Sequence, residues 1–286
     1  MILAISGGAD SVALLHMYAS NGTIVHVNHG LRDESDADEE FVKNLAVSYK
    51  IPFFSKKVDV KGYSKLNKVG IETAARILRY EFFAEIAKKL NCFDIYLAHH
   101  ADDQNETVLW NLVRGSIGIV GIKEKSTVNI NDVSLTLHRP LLNLNFSRND
   151  LREYNKANNL LWVEDKTNAV PDCVRNKFRL EIIPFIEQTL NRKINLSNNA
   201  KIASQESEFL DSLLPAVTEI FETTIIKPLN PVLQRRFIKK WLALHKISQD
   251  FDTIERILSV VMGTMLKTNT AKGRFVKRKR RKVFLA

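Results

Sequence analysis

An open α/β fold, its mostly parallel sheet covered by helices on both faces, is what the first half of this 286-residue chain predicts. Three observations predict it. Short apolar, β-branched runs alternate with helical patterns over roughly the first 115 residues, the signature of βαβ units. Polar, chemistry-bearing segments stand at the ends of three of those runs, where open α/β sheets bind ligands. The pattern then changes, and from about Leu190 it is helical, so a smaller, mostly helical C-terminal region follows the sheet domain. The boundaries are set at 1–190 and 191–286, where polar residues thicken in QTLNRKINLSNNA.

Taken in order, Ile2–Ile5 reads as a strand and Ser11–Ala19 as a helix. Thr23–Asn28 is β-branched and strand-like. Asp36–Tyr49 places Phe41, Val42 and Leu45 at helical spacing, with acids in its first turn where the dipole favours them. Phe53–Val60 reads as a third strand, Ile71–Leu90 as a long amphipathic helix, Asp94–Ala98 as a fourth strand and Asp103–Val113 as a helix. Ser126–Leu137 is polar and β-leaning, a loop with one strand, closed by Arg139-Pro140. Ser147, with Asp150 three residues on, caps a short helix that Asn158-Asn159 ends. Trp162 is the expected buried anchor of a loop, Asp172 a further cap, and Pro184 a kink or restart in the helix after it. In LQRRFIKKWLALH, Leu233, Phe237, Trp241 and Leu244 form one face and Arg235, Arg236, Lys239 and Lys240 the other.

Composition narrows the class. No apolar run approaches the roughly 20 residues that cross a bilayer, which excludes a membrane-spanning protein of the helical kind. Met1 runs directly into a core strand, leaving no space for a signal peptide, and Cys92 and Cys173 are isolated, so a reducing cytoplasm is expected. Lys and Arg number 42 against 32 Asp and Glu, a net +10. The last fifteen residues, KGRFVKRKRRKVFLA, carry eight basic residues and no acid. Such a block favours a polyanion; a solvated basic tail is the alternative.

Three polar clusters fall at predicted strand ends. SGGADS combines glycines, which let amides approach a ligand, with a helix N-terminus, a pairing that holds phosphate. It is neither the Gly-Lys-Ser/Thr loop nor GxGxxG. Asp10 in a phosphate cradle makes sense as a carboxylate that holds Mg2+; a tight turn capped by Asp10 or Ser11 stands beside that reading. HHADDQNET packs His99, His100, Asp102, Asp103 and Glu106 into eight residues, and Asp103 and Glu106 share a helix face. That pair suits Mg2+ or an ammonium group, whereas an ordinary capped helix would not need two preceding histidines. In ETAARILRY, Glu72 offers Arg76 an i,i+4 partner and leaves Arg79 for an anion. HVNHGLR presents His26, Asn28, His29 and Arg32, of which His26 reads as sheet core.

SGGADS resembles the signature of the PP-loop, or N-type, ATP pyrophosphatases. The further segments HVNHGLR, ETAARILRY, AHHADDQNET, Arg114-Gly115, RPLL, WVEDKTN and RNKFR, in this order, resemble the tRNA(Ile)-lysidine synthetase family over Ile2–Ile186. The helical segment LNPVLQRRFIKKWLALH is more loosely similar to that family's tRNA-binding region. The resemblance implies an ATP-dependent ligase acting on tRNA(Ile) with a CAU anticodon. ATP adenylates the wobble cytidine and releases pyrophosphate; the ε-amine of free L-lysine then attacks C2 and releases AMP. It implies that Ser6, Gly7, Gly8, Ala9, Asp10 and Ser11 bind ATP, with Asp10 as the Mg2+ ligand. It implies charge stabilisation by Arg79 and His99, lysine binding by Asp103 and Glu106, and phosphate or tRNA contacts by Arg175 and Arg179. Asp103 is the preferred acceptor of the amine's proton. Lys277, Arg278 and Arg280 of the tail are assigned to tRNA phosphates, and a homo-oligomer is left open. Longer members carry an additional C-terminal domain, so acceptor-stem recognition is expected to fall to the helices and tail.

Three rivals stand beside this reading. A PP-loop tRNA sulfur transferase would need paired cysteines, and Cys92 and Cys173 lie far apart. A small-molecule PP-loop ligase would not need the basic tail. A non-catalytic RNA-binding module would have lost a glycine or carboxylate from the loop, and all are present.

Overall fold

The computed structural model describes residues 1–115, 119–164, 174–270 and 274–286; the side chain of Arg175 is outside that set. The chain forms two compact units, one of residues 1–110 and 121–198, the other of 111–120 and 199–286.

In the first unit, β1 (Ile2–Ala4), β2 (Thr23–Asn28), β3 (Phe53–Lys57) and β4 (Asp94–Tyr96) are parallel, and β6 (Val133–His138) continues the parallel set beside β4. An antiparallel edge strand, β5 (Lys125–Ile130), completes the order β3-β2-β1-β4-β6-β5. The connections α1 (Ala9–Tyr18), α2 (Ser35–Tyr49), α3 (Val60–Asn67), α4 (Ile71–Leu90) and α5 (Ala101–Val113) complete the βαβ units. One core packs α4 through Tyr80, Phe82, Phe83 and Ile86 against Ile95, Leu135 and Leu137. The other packs α1 through Ala13, Leu14 and Leu15 against Leu3, Ile5 and Val42. Strand order reverses between β1 and β4, which places the crevice of a doubly wound sheet at the ends of these two strands.

The remaining elements of this unit are α6 (Pro140–Asn143), α7 (Arg148–Ala157), α8 (Val174–Lys177) and α9 (Ile183–Leu190). The Ser147 cap of α7 is a reciprocal capping box with Asp150, as its spacing predicts. Pro184 restarts the helix. Its missing N–H cannot serve the carbonyl four residues back, and a π-helical turn, Phe178–Ile182, precedes α9.

Several sequence expectations are corrected. The third strand stops at Lys57, and Val60–Asn67 is a helix capped by Asp59, whose carboxylate accepts from Gly62 N at 2.8 Å. The segment expected to hold one strand is a hairpin, its turn made by Asn131 and Asp132 at φ 45° and 64°. Trp162 is half-buried rather than buried, its indole N–H donating to Glu164. Asp172 and Cys173 lie outside the described residues.

The second unit holds α10 (Ser197–Ser212), α11 (Thr223–Ile226), α12 (Pro231–Leu244), α13 (Phe251–Met262) and a second sheet. Its strands are β7 (Phe221–Glu222), β8 (Lys267–Asn269), β9 (Phe275–Lys279) and β10 (Lys282–Leu285), antiparallel in the order β7-β10-β9-β8. The basic block expected as a tail is therefore largely a β-hairpin. Trp241, fully buried with Phe237, Ile238, Leu242, Ile257, Val276 and Val283, centres the core. Leu244, expected inside, is 51% exposed. Three of the four cations on that face of α12 are paired within the unit: Arg235 with Glu255, and Arg236 and Lys240 with Asp211.

Candidate functional site

The chain leaves β1 through Ser6-Gly7-Gly8 and enters α1 at Ala9. Gly7 sits at φ +94°, a conformation that side chains other than glycine's rarely adopt, and a Cβ there would press on Val42 and Phe41. The turn is braced from several sides. The amides of Ser6 and Gly7 donate to Ser11 Oγ at 3.2 and 3.1 Å, and that hydroxyl donates to the Gly8 carbonyl at 2.9 Å. Gly7 O accepts from Val163 N, and Ala9 O accepts from the Asn155 amide in α7. Gly8 is the N-cap, and the Ser11 hydroxyl holds the corner, as one of the two sequence readings of the turn expects. A Cβ on Gly8 would meet only Ser6 Oγ, at 3.7 Å, so that its bare Cα opens onto the cleft. The first-turn amides of Ala9, Asp10 and Ser11 lack intrahelical acceptors and point the same way.

Asp10 and the start of α5 meet at His100. This histidine is 1% exposed, and its Nε2 lies 3.4 Å from Asp10 Oδ2 and 3.5 Å from Asp103 Oδ2. Its own amide donates to Asp103 Oδ2 at 3.1 Å. Burial works against the imidazolium, but the Asp10 hydrogen bond and the charges of Asp103 and Asp10 outweigh it and raise the pKa. His100 is the residue sequence reasoning passed over in favour of His99. The only signal was its place between two carboxylate-bearing segments.

The three polar residues after Asp103 each have a defined place. Gln104 exchanges hydrogen bonds with the Ile122 backbone, and Asn105 with Ile194 O and Leu196 N, so both anchor loops. Glu106, 3% exposed, receives Arg179 in a two-point ion pair, Nε to Oε1 at 2.7 Å and Nη2 to Oε2 at 3.2 Å. The same guanidinium lies 3.8 Å from Asp103 Oδ1. Arg179 reaches this position from the π-helical turn, a distortion that recurs at functional sites. The structure thus brings Arg179, from a motif more than seventy residues on in sequence, to the neighbouring carboxylates Asp103 and Glu106.

Two clefts share a floor of Ser6, Gly8, Asp10 and Asp103. The larger, about 730 Å³, is bordered by His26, His29, Arg79 and His99 and by apolar Phe83 and Leu97. The smaller, about 430 Å³, is bordered by Arg148, Arg152 and Arg179 with Glu72 and Glu164. His26 is core, as expected, with Nδ1 2.9 Å from Ile5 O. Arg76 and Arg79 both stand over the Tyr80 ring, at 5.0 and 5.6 Å. The side chain of Arg175 is outside the described set, and Arg278 and Arg280 belong to the second unit.

Burial, and then the positive charge of Arg79, hold His29 down at about 4. The folded chain therefore keeps His29 neutral while the unfolded chain takes up a proton near the ordinary 6.5. Stability is complete above pH 6.5 and falls as pH drops from there to about 4. Thermal melts across this window should show a falling midpoint, and His29→Gln should flatten the decline. An equal slope in the variant would remove His29 from the account.

The β1–glycine turn–α1 unit at the switch point of a parallel sheet is that of a PP-loop ATP-binding domain. A family model described as the PP-loop domain matches residues 1–186. The fold is also that of a U34-tRNA thiolase from Methanococcus maripaludis, at a TM-score of 0.51, 16% identity and 66% coverage of each chain. Two curated relatives are similar over most of their length. The tRNA(Ile)-lysidine synthase of Petrotoga mobilis is 34% identical over 94% of this chain and 87% of its own. That of Chlorobaculum tepidum is 31% identical over 91% and 82%. The chain belongs to the tRNA(Ile)-lysidine synthase family. Among the described residues no helix is long and apolar enough to cross a membrane.

Proposed function

We propose that this chain is an ATP-dependent C–N ligase that joins L-lysine to C2 of the wobble cytidine of CAU-anticodon tRNA(Ile). The observation that carries the reading is the meeting of the glycine turn with Asp103 on one cleft floor, bridged by His100, with buried Glu106 tied to Asp103 through Arg179. The amides of Ala9, Asp10 and Ser11 and the open Cα of Gly8 receive the ATP phosphates, with Ser6 on the same floor. Ser11 supports them by holding the turn rather than by offering its buried hydroxyl.

Asp10 fits a divalent cation. Among the described residues its buried Oδ1 meets no hydrogen-bond partner, an acceptor oxygen left for a ligand. Among the described residues no group of three or more His, Cys, Asp or Glu forms a metal cage. One carboxylate supplemented by substrate phosphates is the donor set that Mg2+ takes. Bound there, Mg2+ would neutralise charge on the departing pyrophosphate.

In the first step the cytosine carbonyl oxygen bonds to the α-phosphorus of ATP and pyrophosphate leaves. In the second, the lysine ε-amine, having lost a proton, bonds to C2 and AMP leaves. Arg79 and His99, on the wall of the larger cleft, face the charge that develops on the α-phosphate and activated base. Asp103 and Glu106 position the lysine, and Asp103 takes the proton. Two roles then compete in the resting chain, because Arg179 sits on the carboxylates that lysine requires. Arg179 must pass to the α-phosphate before the ammonium enters.

The test is direct. The chain is incubated with ATP, Mg2+, lysine and CAU-anticodon tRNA(Ile), and AMP, pyrophosphate and the mass of the anticodon cytidine are read. A lysine mass gain is expected. In a parallel incubation supplied with sulfide, sulfur incorporation without lysine addition would select the thiolase reading. Cys92, half-buried against the core, gives that reading little support.

A further inference from the structure

The second unit carries a face that the ligation chemistry does not use. In β9 and β10, Val276 and Val283 point into the core beneath α12 and α13. Their neighbours Phe275, Lys277, Lys279, Lys282 and Phe284 therefore stand on the opposite side of the sheet, joined by Lys267 of β8. The register sets Lys267, Lys277 and Phe284 in one row and Lys279 beside Lys282 in the next. Phe275 is 38% exposed, and Lys267 Nζ stands 5.7 Å from its ring centroid. Among the described residues, Glu222 of β7, opposite Lys282, is the one acid paired into these rows.

Two features make this more than a solvated edge. Lysines commonly guard edge strands, but β9 and β10 are the inner strands of the order β7-β10-β9-β8. Like charges directly opposite each other also destabilise a sheet, and here two such pairs, Lys267 with Lys277 and Lys279 with Lys282, lie side by side. A polyanion removes that repulsion. Two aromatic rings among the lysines add a stacking platform, which a lysine-only phosphate patch would not need.

We propose that this face binds an unpaired stretch of RNA, its bases stacked on Phe275 and Phe284 and its phosphates on Lys267, Lys277, Lys279 and Lys282. A duplex hides its base faces and would engage only the lysines. A membrane surface would favour contiguous apolar side chains with lysines at their rim, whereas here lysines lie between the rings. Arg278, assigned to phosphate from sequence, points the other way: its guanidinium donates to Val261 O at 3.1 Å and to Arg280 O at 2.8 Å, tying the hairpin to the end of α13. The inference rests on the lysidine synthase reading only for which RNA is bound.

Fluorescence anisotropy with the full chain tests it, using three labelled probes: the anticodon stem-loop of tRNA(Ile), an oligouridine, and a blunt RNA duplex. Phe275→Ala with Phe284→Ala should weaken the first two by on the order of ten-fold or more and leave the duplex and the salt slope unchanged. Lys277→Gln with Lys279→Gln should weaken all three and reduce the slope of log affinity against log salt by about 0.7 per lysine for oligouridine. Should Phe284→Ala unfold the unit, Phe275→Ala and its rescue by Phe275→Trp carry the test alone. Equal losses on duplex and unpaired RNA, unchanged affinity in the phenylalanine variants, or binding to phosphatidylserine vesicles in place of RNA would each overturn the proposal. Lysine incorporation is scored separately, so a chain that binds unpaired RNA through this face yet adds no lysine would refute the ligase reading and leave this one standing.

Discussion

Asp10→Ala lowers pyrophosphate release by about a thousand-fold or more, while RNA binding stays at the parental level. The argument begins with an oxygen. Asp10 Oδ1 is buried and, among the described residues, without a hydrogen-bond partner, an arrangement that costs free energy unless something is bound there. Asp10 Oδ2 is committed to His100, so the carboxylate is fixed in orientation before any ligand arrives. Removing it takes away the proposed cation ligand at the point where negative charge builds on the leaving group. Asp10→Asn keeps the size and the contact with His100 but loses the charge, and it should need much more Mg2+ for the same rate. Both variants should keep a parental melting midpoint to within a few degrees, since the Asp10 side chain is 31% exposed. Parental rates of pyrophosphate release in Asp10→Ala would sink the assignment of the turn as a phosphate cradle.

The parallel sheet was legible because its signal is local. Thr23–Asn28 and Ile71–Leu90 are strand and helix at the bounds their patterns predict. What escaped was set by single turn residues or by tertiary pairing. Asn131-Asp132 is a hairpin turn pair, but the flanking strands are polar on one side and read as loop. The second hairpin turns at Arg280, φ +55°, with no glycine or asparagine to mark it, so a strand pair looked like a charged tail. Val60–Asn67 contains a glycine and few apolar residues, and only the Asp59 cap announces it. At the site, composition found the carboxylates and the glycines. It did not find His100 as their bridge or Arg179 as the present partner of Glu106, because both depend on the approach of segments distant in sequence.

Arg179→Gln should uncouple lysine binding from ATP. In the parent, Glu106 is 3% exposed and held by two hydrogen bonds from Arg179, so lysine alone meets an anionic site already filled by a cation. Removing one partner of a buried ion pair leaves the other charge uncompensated and typically costs about 3–5 kcal/mol. The variant is therefore expected to melt lower than the parent, and free lysine, but not norleucine, should restore part of the loss by supplying an ammonium to Glu106 and Asp103. Lysine should leave the parent's midpoint nearly unchanged without ATP. Ligation in the variant should drop by about 100- to 1,000-fold, because the guanidinium that would pass to the α-phosphate is gone. Arg179→Gln combined with Glu106→Gln separates the two effects. Neutralising both partners should recover stability without lysine and abolish the lysine-dependent shift, whereas a shift that persists would place the ammonium elsewhere. A parental melting midpoint and parental ligation in Arg179→Gln would show that the ion pair neither fills the lysine site nor serves the phosphate.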